Sequence, residues 1–129
     1  MRPILWCDDH VEMIDQTALP GRVDWLKSRT SREVAEAIRS MKIRGAPAIG
    51  IAAAYGVALA ALGSAATEAS DLRRELEEAS EFLAATRPTA VNLFWALQRM
   101  KATWERQTDV TGMRRALVEE ARALAAADE

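Results

Sequence analysis

The chain has 129 residues, half of them apolar, which is enough for one domain with a buried core. Seventeen basic side chains against nineteen acidic ones leave a formal charge of −2, and only 5% of residues are aromatic, so the sequence offers neither a cationic footprint nor a stacking platform for nucleic acid. Cys7 is the single cysteine, which excludes an internal disulfide and points to a reducing, cytoplasmic home.

The opening Met1-Arg2-Pro3-Ile4-Leu5-Trp6 lacks the apolar length of a signal peptide. Ala46 to Leu62 is the one stretch that resembles a membrane span. It is rich in alanine and glycine, starts beside a proline and falls short of the roughly 18 to 20 residues a span needs, so it reads as an interior helix and no membrane is expected.

In chain order, Ile4-Leu5-Trp6, Val11-Glu12-Met13-Ile14 and Val23-Asp24-Trp25-Leu26 have the composition of short strands, separated by the polar turn Asp8-Asp9-His10 and the turn signal Leu19-Pro20-Gly21. Together they predict a small antiparallel sheet over residues 1–28, with Trp6 and Trp25 on its inner face. His10, the only histidine, falls in a turn with no partners visible at ligand spacing, so a surface turn is expected and no metal site. Acidic neighbours disfavour a thiolate at Cys7, which reads as inert.

Residues 30–129 predict a helical bundle. Thr30-Ser31-Arg32-Glu33 has the form of a capping box, and Val34, Ile38 and Met41 follow on one face, with Arg39 and Lys42 placed to complement the helix dipole.

The next stretch, Arg44-Gly45-Ala46-Pro47-Ala48-Ile49-Gly50, delivers the chain through a tight turn into a second helix. Pro47 suits the first helical position, where its missing N–H has no intrahelical partner, and Gly45 frees the turn from steric limits. The stretch supports two readings. In one, the free N–H groups of the first turn and the Arg44 guanidinium seat a phosphate or carboxylate. In the other, Arg44 is a solvated charge and the small residues Ala48, Ala52, Gly56 and Ala60, four apart, serve close helix packing.

A third helix is expected from near Thr67, burying Leu72, Leu76, Ala79 and Leu83 and turning the charge run Arg73-Arg74-Glu75-Glu77-Glu78 to solvent. Arg87 must then be extended, because Pro88 follows, and Thr89 is placed to cap a fourth helix. Along that helix Val91, Phe94, Trp95, Gln98 and Ala102 share a face, with Trp104 near the end, and Asn92 in the first turn bonds either a neighbouring loop or a ligand. Arg87 repeats the arrangement at Arg44, an arginine just before a helix start built with proline. Two such corners brought together would hold a phosphorylated small molecule.

The last helix, from near Asp109 or Thr111, turns Met113, Leu117, Ala121 and Leu124 inward. Its ending, Ala125-Ala126-Ala127-Asp128-Glu129, has neither a glycine nor a proline stop and opposes the helix dipole, which suggests the front portion of a longer protein.

The segments Ile14-Asp15-Gln16-Thr17, Leu19-Pro20, Glu33 to Met41, Arg44 to Gly56 and Arg87-Pro88-Thr89-Ala90-Val91-Asn92-Leu93, in this order and separation, resemble the N-terminal domain of the methylthioribose-1-phosphate isomerase family from about residue 4 to the end. Regulatory subunits of the translation-initiation guanine-exchange factor and archaeal ribose-1,5-bisphosphate isomerase share the architecture. The resemblance implies a mostly α fold, a small N-terminal antiparallel sheet followed by about five helices, as the front domain of an otherwise α/β two-domain enzyme. It implies aldose–ketose interconversion of a sugar 1-phosphate in methionine salvage, with no metal or organic cofactor, by a homodimer. Arg44, Gly45, Ala46 and Arg87 match substrate-binding positions. The family's catalytic cysteine and aspartate belong to a C-terminal Rossmann-like domain, so no catalytic residue is expected in this chain, Cys7 does not take that role, and the chain alone is expected to be inactive. A non-catalytic regulatory module and a purely structural helical domain are the rival readings.

Overall fold

A computed structural model of the chain describes residues 4–40, 42 and 45–127, except for the side chain of Ala46. Three strands, β1 (Ile4–Trp6), β2 (Val11–Ile14) and β3 (Trp25–Ser28), form an antiparallel meander in the order β1-β2-β3. Five helices follow: α1 (Ser31–Arg39), α2 (Ala46–Gly63), α3 (Ala69–Ala85), α4 (Val91–Glu105) and α5 (Val110–Ala127). The expected fold class, a small sheet and then a helical bundle, is the observed one.

The bundle is built around α2. Residues 52–59 of that helix are all buried, as a helix apolar on every side must be, and each of the other four helices packs against it. The lack of side-chain bulk sets the approach. A Cβ on Gly56 would stand 3.2 Å from Leu83 of α3 and 3.4 Å from Val34 of α1, and one on Gly50 would stand 3.1 Å from the backbone oxygen of Asn92 in α4. The stripes Leu72, Leu76, Ala79 and Leu83 of α3 and Met113, Leu117, Ala121 and Leu124 of α5 are buried as expected.

The capping box forms. The Thr30 hydroxyl accepts the Glu33 N–H at 3.1 Å, while the Glu33 carboxylate reaches one residue beyond Thr30 and accepts the Arg29 N–H at 2.8 Å. Helix α1 ends at Arg39, earlier than expected, and Lys42 lies past it, its N–H bonded to the Ala37 carbonyl at 3.0 Å. Met41 lies outside the described residues.

Five expectations are corrected. The third strand begins two residues late, because Arg22 and Asp24 close the preceding turn with a 2.6 Å ion pair and the register sets Val11 opposite Ser28 and Ile14 opposite Trp25. Residues directly opposite share a face, so Trp25 falls outward with Lys27 and is 42% exposed, whereas Trp6 does face the helices and stacks on Tyr55 of α2 with ring centroids 5.1 Å apart. Helix α3 starts at Ala69 rather than Thr67, since the Ser64 hydroxyl holds the Ala66 N–H in the preceding loop. The N-cap of α4 is Ala90, not Thr89: the Ala90 N–H closes a turn on the Arg87 carbonyl at 3.0 Å, which places Thr89 one residue outside the cap. In the charge run, Arg73 is not simply solvated, for its guanidinium donates to the Gln107 carbonyl at 2.6 Å.

Candidate functional site

The two proline-marked corners open α2 and α4, and these helices lie side by side from their first turns, where Gly50 meets Asn92. Gly45 is the N-cap of α2, exposed, with φ of 91°, a conformation that costs a side-chain-bearing residue strain. Ala46, not Pro47 as expected, is the first residue of the helix, because the Ile49 N–H is the first to bond back, to the Gly45 carbonyl at 3.0 Å. Neither α2 nor α4 has a side-chain hydrogen bond at its N-cap. Their first-turn N–H groups therefore form two adjacent regions of positive potential.

The approach to Gly45 is tied to the sheet by the Ile14-Asp15-Gln16-Thr17 segment. The nearly buried Asp15 carboxylate accepts the Thr17 N–H at 2.9 Å and also the Thr17 hydroxyl, and the Gln16 N–H bonds the Lys42 carbonyl at 2.8 Å. The Thr17 hydroxyl bond holds Asp15 below the usual carboxylate range, and Lys42, with Nζ 4.0 Å away, favours the same charged form.

Arg87 follows the C-cap of α3, in the turn that delivers α4. Its Nη1 is buried and has no hydrogen-bond partner among the described residues. Trp6 Nε1 and Ser80 Oγ share that condition, but Arg87 is the one that carries a full charge, for which an unpaired buried donor costs most. Arg44 lies outside the described residues, so of the four expected binding positions the structure places Gly45, Ala46 and Arg87.

Beside these helix starts runs a groove of about 450 Å³, walled by Pro47 and Ile51 of α2, Val91, Asn92 and Trp95 of α4, and Leu124 of α5. Arg87 is not part of its wall. Val91 is 77% exposed and Trp95 53%. The shared face of Val91, Phe94 and Trp95 thus looks outward, because Leu93, Ala96, Leu97, Met100 and Trp104 supply the buried stripe of α4. Arg99 holds Trp95 in place: its guanidinium carbon stands 5.5 Å from the indole centroid, and its Nε bonds Glu120 of α5 at 2.6 Å. Sequence reasoning passed over Val91 and Trp95 as site residues, since apolar spacing does not say which side of a helix meets the core.

A second cluster lies at the β1–β2 turn. His10 bonds Asp9 through Nδ1 at 2.6 Å and Glu12 through Nε2 at 3.1 Å, and the Cys7 thiol donates to Glu12 at 3.4 Å. These bonds raise the His10 pKa, through Asp9 first and then Glu12, and partial burial followed by the bond to Glu12 pushes the Cys7 thiol up. The sequence expectation of a histidine without partners at ligand spacing is corrected: the turn folds Cys7 and Glu12 onto it.

Comparison with known proteins accords with this architecture. A family model described as the initiation factor 2 subunit family matches residues 42–129. The 5-deoxyribose 1-phosphate isomerase of Moorella thermoacetica is 46% identical over 98% of this chain and 37% of its own, and the methylthioribose-1-phosphate isomerase of Desulfitobacterium hafniense strain DSM 10664 is 47% identical over 99% and 38%. Among solved structures, the 5-methylthioribose 1-phosphate isomerase of Pyrococcus horikoshii superposes with a TM-score of 0.94 at 42% identity, over 98% of this chain and 36% of that one. The subunit delta of translation initiation factor eIF-2B from A. fulgidus gives 0.93 at 39% identity, over 99% and 37%. The chain spans less than two fifths of the length of each of these relatives. It belongs to the initiation factor 2 subunit family.

Proposed function

We propose that this chain is the N-terminal, substrate-binding domain of an aldose–ketose isomerase that converts 5-methylthioribose 1-phosphate to 5-methylthioribulose 1-phosphate in methionine salvage. The observation that carries the reading is the buried Nη1 of Arg87, which has no hydrogen-bond partner among the described residues and belongs to the turn that leads into the uncapped start of α4. A phosphate supplies what that geometry lacks, an anion with several acceptor oxygens for a guanidinium and backbone N–H groups. Arg44, Gly45 and Ala46 complete the seat in this proposal. Isomerisation moves hydrogen between adjacent carbons of a sugar whose anomeric oxygen carries phosphate. Anchoring that phosphate is an orientation effect that can lower the barrier by several kcal/mol.

The apolar groove suits a deoxy or methylthio substituent at C5, the chemistry named in the relatives' own descriptions. A ribose 1,5-bisphosphate would carry a second phosphate, and Arg99, the arginine among the described residues that line the groove, is already paired with Glu120. The proton-transfer groups come, in this reading, from a C-terminal Rossmann-like domain that also covers Val91 and Trp95, within a cytoplasmic homodimer, so the chain alone is inactive. No helix among the described residues is long and apolar enough to cross a membrane.

The test is an isomerase assay on the protein carrying its C-terminal domain. Conversion of 5-methylthioribose 1-phosphate that falls at least 100-fold in kcat/KM with Arg87→Ala is the expected result. The likeness to the initiation-factor subunit keeps a regulatory module as the second reading, and an intact protein without isomerase activity would favour it.

A further inference from the structure

We propose that Cys7, His10 and Glu12 form a zinc site at the β1–β2 turn. The site is independent of the proposed sugar-phosphate site.

Its geometry is that of a tetrahedral site before the metal enters. Cys7 Sγ and Glu12 Oε2 are 3.4 Å apart and His10 Nε2 and Glu12 Oε2 are 3.1 Å apart, with the three ligand atoms all within 4.8 Å of one another. Zinc bonds of about 2.3 Å to sulfur and about 2.0 Å to nitrogen and oxygen, at tetrahedral angles, would separate sulfur from oxygen by about 3.5 Å and nitrogen from oxygen by about 3.3 Å. The sulfur–oxygen and nitrogen–oxygen pairs therefore already stand within a few tenths of an ångström of these separations, and the sulfur–nitrogen pair, within 4.8 Å, would stand at about 3.5 Å in the filled site.

The ligand set agrees. One thiolate, one imidazole and one carboxylate suit zinc better than the hard cations calcium and magnesium, which take oxygen alone. His10 has its other ring nitrogen, Nδ1, against the Asp9 carboxylate at 2.6 Å, which fixes the tautomer and presents Nε2 to the metal. The backbone holds the ligands together without the metal: the Cys7 N–H bonds the His10 carbonyl at 2.9 Å, and Asp8 turns the chain through a left-handed φ of 68°. Lys27, opposite Glu12 in the β2–β3 register, and Arg29, which acts on Asp9, are nearby cations, against the carboxylates of Asp8, Asp9 and Glu12. On binding, the Cys7 thiol proton passes to solvent as the thiolate bonds the zinc, and water takes the fourth position.

Titrating Zn²⁺ into the metal-free chain by calorimetry, and Co²⁺ with absorbance as a spectroscopic probe, tests the site. One metal per chain is expected, with a thiolate-to-cobalt charge-transfer band that Cys7→Ser abolishes. His10→Ala should weaken zinc binding at least 10-fold, and Asp9→Asn, which removes only the group behind the imidazole, about 10-fold. Absence of stoichiometric binding, a cobalt spectrum without the thiolate band, or variants that bind as tightly as the parent would overturn the proposal. The wild-type cobalt spectrum decides the matter even where a variant misfolds.

Discussion

The two ends of the helical bundle treat their backbone groups in opposite ways. At the far end of α2, Arg114 of α5 donates to the carbonyls of Ala61, Ser64 and Ala66 at 2.9, 2.8 and 3.2 Å, and Arg73 closes the end of α4 through Gln107. At the near end of the same two helices, among the described residues, neither N-cap makes a side-chain hydrogen bond, a groove lies open and the Arg87 Nη1 is buried without an acceptor. An arginine that serves the fold has its acceptors within the fold. Arg87 Nη1 has none among the described residues, and that contrast is what the proposed binding role rests on.

Substitutions at the two ends should have opposite signatures. Arg114→Ala strips three carbonyls of a charged donor and is expected to destabilise this chain by about 2–3 kcal/mol in denaturant unfolding. Gly50→Val forces side-chain bulk against the Asn92 backbone, prising α2 from α4, and should cost about 2 kcal/mol by the same measurement. At the open end, Trp95→Ser is expected to change stability by no more than about 0.5 kcal/mol, since the indole is half exposed, while weakening substrate binding in the two-domain protein.

The smallest effect is confined to acid. Asp15 titrates below its ordinary 3.8 in the folded chain, so its contribution to stability is whole above that value and is lost as the pH falls through the lower folded one. The melting temperature of Asp15→Asn should accordingly depend less on pH in that acid range than the parent's does.

The sequence made the scaffold legible wherever one residue pattern had one structural use. The stripes of α3 and α5, the capping box at Thr30 and the core role of the alanine-rich α2 all follow from spacing and steric size. The α4 face did not, because its apolar residues fall on two sides and only packing against Gly50 and α5 decides which side is buried. Trp25 and Thr89 were misplaced for a related reason: turns set by Arg22–Asp24 and by Arg87–Ala90 shift the following element by one or two residues, which reverses a strand face or vacates a cap. The partners of His10 were hidden because a hairpin turn, not a helical or strand repeat, brings them together. Arg87 was visible as an arginine before a proline. Its unpaired nitrogen required coordinates.

The most direct test measures two properties of Arg87→Ala: the unfolding free energy of this chain, and the affinity of the two-domain protein for 5-methylthioribose 1-phosphate. The account predicts stability no more than about 0.5 kcal/mol below the parent's, since the substitution removes a buried donor without a partner among the described residues, and affinity reduced about 100-fold. A clear loss of stability with substrate affinity intact would contradict it, and would make Arg87 a structural arginine like Arg114.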